Sequence, residues 1–162
     1  MSSARKLLVF GGISLAVFGM LYGLHYAVFV EHQTLDRMGS SLAQAFVRAA
    51  EGNVPEVDRA VDLYASTKYN YVRQVDVHSH WIGLAMLMIV LGAALDGVAL
   101  EQRLQTWMAV ALLTGSLVFP LGVMLQTVSH GATWASTLAI LGSGLVTVSL
   151  AVLAWGFIRR TV

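Results

Sequence analysis

Four stretches of the chain carry almost no charge: residues 7–30, 77–98, 106–128 and 135–158. Each is near the roughly 20 residues that a helix needs to cross a hydrocarbon core, so each predicts a membrane-spanning helix. The first follows Arg5 and Lys6 as the apolar part of a secretory signal would. Its apolar run exceeds the roughly 7 to 15 residues of such a segment, and no small-x-small cleavage site is evident, so a retained first span is expected. Between the first two spans, residues 31–76 follow a different pattern. Leu35, Met38, Leu42, Ala45, Phe46 and Ala49 recur at helical spacing, and Gly52 and Asn53 then mark a stop. Pro55 suits the first turn of a following helix, whose apolar face continues through Val57, Val61, Tyr64 and Lys68. The pattern predicts two short amphipathic helices, lying over the bundle or in the membrane interface, or forming a cap on which a partner docks.

The fold class that follows is an all-α membrane protein. A single membrane domain, 1–162, is expected to hold a bundle of four transmembrane helices, with an extracytoplasmic helical segment between helices one and two. Pro120 is the only proline inside a span and predicts a local kink. The chain shows no internal repeat and no low-complexity run.

Composition and charge agree with lipid as the solvent and set an orientation. Of 162 residues, 57% are hydrophobic and 12% charged, against roughly 45–50% apolar in soluble domains. Arg5, Lys6, Arg103, Arg159 and Arg160 flank the spans, and the positive-inside bias places them all in the cytoplasm. Both termini are then cytoplasmic, and a multi-pass protein of the cytoplasmic (inner) membrane is expected. The 31–76 segment holds five basic and seven acidic residues, so it is slightly acidic and easily translocated. Tyr64, Tyr69 and Tyr71, with Lys68 and Arg73, precede the second span. They suit an aromatic and basic belt at the membrane surface, or a docking surface for a soluble electron carrier.

Several chemistries are excluded. With no cysteine, the chain forms no disulfide, thiolate metal site, iron–sulfur cluster or covalent c-type haem attachment. A net charge of +1 without a basic stripe gives no nucleic-acid footprint. No phosphate-binding glycine loop, nucleophile elbow or His-Glu-x-x-His occurs. No residue is identified for bond-making chemistry, and enzymatic activity is left open.

The five histidines, His25, His32, His78, His80 and His130, all fall in the outer half under this orientation. Antiparallel helices bring residues distant in sequence to one depth, so His25, His78, His80 and His130 form a candidate cofactor or metal layer drawn from three helices. Taken singly, each suits an interfacial, hydrogen-bonding role better than ligation; taken together, they favour a shared layer. His130 shares a small, polar stripe with Thr127, Gln126, Gly122 and Ser116, a face expected inside the bundle. His25 lines up with Tyr22, Phe18, Ser14 and Gly11, a mixed face that suits close packing on a partner or a ring. His78 and His80 are two apart, about 200° on a regular helix, and do not face one central ligand together. The stripe through Ala85, Gly92 and Asp96 favours His78 as inward; were Asp76 or Ser79 to cap the helix, His80 would be the helix-borne ligand, with Gly83 leaving room beside it.

Two imidazoles from different helices in an apolar bundle suit haem b. Gly11, Gly12, Gly83, Gly115 and Gly122 provide either a porphyrin slot or ordinary close packing. Copper or zinc is the alternative cofactor, held by His25, His78, His80 and His130. The methionines lie scattered along the spans, as core residues would, and do not favour copper.

The segment from His78 to Leu84, His-Ser-His-Trp-Ile-Gly-Leu, continuing to Gly92, resembles the second helix of small four-helix relatives of haem-copper oxidase subunit I. In the large oxidases and nitric oxide reductases, a histidine at the outer start of that helix ligates the low-spin haem. The resemblance covers helices two to four. It implies His78 or His80 as an axial ligand, with His130 or His25 as its partner. The chain departs from the family in having too few helices for a full oxidase, no His-His pair for a copper centre and no His-Tyr cross-link motif, so oxygen reduction is not implied. The expected function is a b-type cytochrome-like subunit, exchanging electrons with a quinol or a periplasmic carrier, as a homo-oligomer or within a membrane complex. The alternatives are a copper or zinc binding or delivery protein, and a non-catalytic assembly or scaffold subunit.

Overall fold

The computed structural model describes residues 1–129 and 132–161, with Arg160 and Thr161 described as backbone alone. Every element among them is helical. Helix α1 is Ser3–Tyr26, a π-helical turn follows at Ala27–Glu31, and α2 is His32–Ala50. Helix α3 is Val54–Ala94, closed by a 3-10 turn at Leu95–Gly97; α4 is Gln102–Val128 and α5 is Thr133–Thr161. Four helical stretches are long and apolar enough to cross a membrane.

The largest departure from the sequence reading lies in the 31–76 segment. It is helical and turns at the expected place, but its helices are not separate elements. The chain runs helical from Ser3 to Ala50, and α3 covers the rest of the segment and the second apolar stretch in 41 residues. A change from apolar to polar residues alters which solvent suits a helix without ending it. Neither Glu31 nor Asp76 lies beside a proline or a positive-φ glycine. The break comes where backbone chemistry demands it. Gly52 takes φ 71°, and the Asn53 amide closes on the Arg48 carbonyl at 2.9 Å. Pro55 then sits in the first turn of α3.

The described residues divide into two compact units, one of residues 1–21 and 76–162 and one of residues 22–75. In the first, helices apolar on most sides are held together by close backbone approach. A Cβ on Gly122 would lie 2.5 Å from the Ala139 nitrogen, and one on Gly142 2.5 Å from that of Phe119, so α4 and α5 touch through both. Helices α1 and α3 meet likewise: a Cβ on Gly12 would stand 2.9 Å from the Ala85 carbonyl oxygen, and one on Gly92 2.7 Å from Val9. Leu8, Val77, Trp81, Met88, Leu112 and Leu153 fill the core. Met20 and Met86, expected in the core, are exposed instead. Pro120 is buried within α4, which continues through it.

The polar stripe of α4 faces inward as expected: Ser116, Gly122 and Gln126 are buried. Helix α1 is turned differently. Its core face is Ala4, Leu8 and Leu15 with Gly12 and Gly19, while Ser14 and Phe18 of the expected face are exposed. Leu8 and Leu15 carry more apolar surface into the core than Ser14 would, and the glycines admit α3. On α3, Ala85 and Gly92 are buried, but Asp96 is exposed and pairs with Arg5 at 2.9 Å.

The second unit is a hairpin of α2 and the first part of α3. Its buried residues are Ser41, Ala45, Ala60 and Thr67, all small, and Tyr26. Replacing Gly122 or Gly142 with valine is expected to destabilise the protein by about 1–3 kcal/mol or more through overpacking. Gly144→Ala, where a Cβ meets nothing within 4 Å, is expected to be neutral or mildly stabilising. Thermal unfolding in detergent checks both outcomes.

Candidate functional site

His78 and His80 both lie well inside α3, which begins at Val54, so neither Asp76 nor Ser79 caps a helix beside them. On one continuous helix the two imidazoles diverge. Gly19 lets α1 come within about a side chain's width of Trp81 and Ile82. The His78 Nδ1 is 2.9 Å from the Gly19 carbonyl oxygen. The His80 ring turns the other way, 4.7 Å from the Phe119 ring of α4 in an edge-on contact. Its Nδ1 is 2.6 Å from the Asp76 carbonyl oxygen, one turn back on its own helix.

A carbonyl oxygen only accepts, so Nδ1 carries the proton in each ring. A neutral ring in this tautomer has its lone pair on Nε2. This is the arrangement by which a backbone carbonyl fixes the tautomer and orientation of a ligating histidine. The two histidines differ in what lies beside them. His80 borders an open groove of about 270 Å³, lined also by Ser79, Gly83, Leu84 and Leu87. A Cβ on Gly83 would meet nothing within 4 Å. Of the five glycines expected to make a slot, Gly11, Gly12, Gly115 and Gly122 are occupied by helix contacts, and Gly83 alone leaves space.

The other candidates do not join this pair among the described residues. His25 belongs to the hairpin unit, where it is exposed and stands 5.4 Å from the Phe29 ring. His32 is exposed, with Nε2 3.6 Å from an Asp36 oxygen. His130 lies outside the described residues. No group of three or more His, Asp or Glu side chains among the described residues is placed to hold a metal ion. The sequence reading missed Phe119 and the Gly19 carbonyl, which reach the histidines only through helix packing. The Asp76 carbonyl, four residues before His80, was legible from helical spacing.

The aromatic cluster ahead of the second apolar stretch is satisfied within the hairpin unit. Lys68 lies 5.9 Å from the Tyr64 ring centre and Arg73 5.1 Å from that of Tyr69, each one helical turn apart. The Tyr71 hydroxyl donates to the Glu31 carboxylate at 3.1 Å, and Tyr22 is hydrogen-bonded to Gln74. The bond to Glu31 holds the Tyr71 phenol above its ordinary pKa.

No family model matches the chain, and no curated protein or solved structure matches it.

The protonated phenol is the form that bonds to Glu31, so this contribution is full below the ordinary phenol pKa of about 10 and is lost as pH rises through the higher folded value. In an alkaline ultraviolet titration, Glu31→Gln is expected to bring the Tyr71 transition down, and Tyr71→Phe to remove it from the curve.

Proposed function

We propose that this protein is a multi-pass subunit of the cytoplasmic membrane that binds haem b through His80 and exchanges electrons with a quinol or a periplasmic carrier. The observation that carries the reading is the His80 environment: an imidazole with its Nδ1 held against a backbone carbonyl, on the wall of a groove lined by Leu84 and Leu87 with room at Gly83. The resemblance of the His78 to Leu84 segment to the second helix of oxidase relatives supports the same residue type at the same place. Flanking charges support cytoplasmic termini and an outward-facing start of the second span.

Among the described residues, His80 would hold the haem from α3, while His78 is turned to Gly19 and serves helix packing. His130, which lies outside the described residues, is the other candidate ligand. Haem would supply reversible one-electron storage. The chain's own groups do the rest: the Asp76 carbonyl orients the His80 ring and makes it a better donor, while Leu84, Leu87 and Phe119 keep water from its edge.

Haem-replete protein purified in detergent is expected to show a Soret band that sharpens on dithionite reduction. His80→Ala is expected to lower haem content at least about tenfold, the smaller end of the loss seen when a group that merely supports a metal ligand is removed, while His78→Ala retains it. A wild-type protein without a Soret band overturns the proposal, and elemental analysis of the same sample distinguishes bound copper or zinc.

A further inference from the structure

The hairpin of residues 22–75 buries the wrong residues for a finished domain. Between its helices lie Ser41, Ala45, Ala60 and Thr67, whereas larger apolar side chains stand in the open. On α2 these include Leu35, Leu42 and Phe46, the last 70% exposed; on α3 they include Val54, Val61 and Val72; Val47 and Leu63 are exposed outside this set. The α2 set follows the inward-facing positions 34, 41 and 45 by one residue. On α3, Val61 and Val72 likewise follow positions 60 and 71, and Val54 lies seven residues before Val61 on the same side of the helix. One residue is a rotation of about 100°, and in two antiparallel helices it carries both stripes to the same side of the pair. Leu35, Leu42, Phe46, Val54, Val61 and Val72 therefore lie on one side of the pair.

We infer that this face is the contact surface for a second copy of the same chain, two hairpins closing into a four-helix bundle. Area supports that occupant. The six side chains, with Val75 beside them, expose on the order of 600 Å², so pairing two copies removes about 1,200 Å², the lower bound for a specific stable interface. The pattern supports it too: Val54, Val57, Val61, Tyr64, Lys68, Val72 and Val75 alternate in steps of three and four, the spacing of a helix–helix seam. Lys68, packed beside the Tyr64 ring, is the single charge in that seam and would fix its register. A lipid surface is the poorer fit. Residues 22–75 hold six acidic and five basic side chains, giving no net attraction to anionic headgroups, and the face carries no tryptophan.

The test uses the full chain, which has no native cysteine. In lipid nanodiscs, Phe46→Cys and Val61→Cys variants are treated with a short bis-maleimide, with Ser40→Cys as the control on another side of α2. The expected result is a covalent dimer from the first two and none from the control. By light scattering in detergent, the wild type is expected to be a dimer, and Phe46→Glu combined with Val61→Glu to raise its dissociation constant at least about 100-fold, as loss of central interface residues does. Circular dichroism confirms that the double variant stays helical; if it unfolds, the cross-linking result decides. A monomeric wild type, a dimer that survives the double substitution, or a label at position 46 quenched by lipid-borne quenchers would each overturn the inference, the last assigning the face to the membrane. None of these outcomes depends on haem, so failure here leaves the His80 reading standing.

Discussion

Helices that are apolar on nearly every side have no hydrophobic stripe with which to choose a neighbour, so shape makes the choice. Contact at Gly122 and Gly142 sets α4 against α5, and contact at Gly12, Gly19 and Gly92 sets α1 against α3. Where backbones come this close, dispersion contacts accumulate over both helices, and a single added methyl group disrupts the fit. The rotation of each helix about its own axis follows from these contacts. With it follows which polar side chains face protein and which face outward.

The two histidines of α3 show the consequence. Gly19 brings the α1 backbone to α3, and the carbonyl it presents takes up the His78 ring. The face of α3 that packs on α1 is thereby committed to structure. His80, two residues on, points to the other side, where its partners are Phe119 and an open groove. The division of roles between identical side chains is set by helix geometry and one glycine.

The hairpin obeys a different rule. Its helices are continuous with the first and second apolar stretches: the helical run from Ser3 to Ala50 counts 48 residues, against the roughly 20 that cross a hydrocarbon core. Apart from Tyr26, its interior of Ser, Ala and Thr lets two helices lie close but withdraws little apolar surface from water. The larger side chains are left for something else to cover.

The sequence alone determined the number of long apolar helices, their approximate extents, the turn at Gly52 and Asn53, and the inward polar stripe of α4. These rest on local properties: run length, periodicity, and the backbone demands of glycine and proline. It did not show that the helices continue through Glu31 and Asp76, because a polarity change is read as a boundary although the hydrogen-bond ladder ignores it. It placed Ser14 and Asp96 inward, where Leu8, Leu15 and the Arg5 ion pair decided otherwise. The two-residue spacing of His78 and His80 showed that they diverge. Only tertiary packing decided which of them was spent on a neighbouring helix, because that depends on how closely Gly19 lets a second backbone approach.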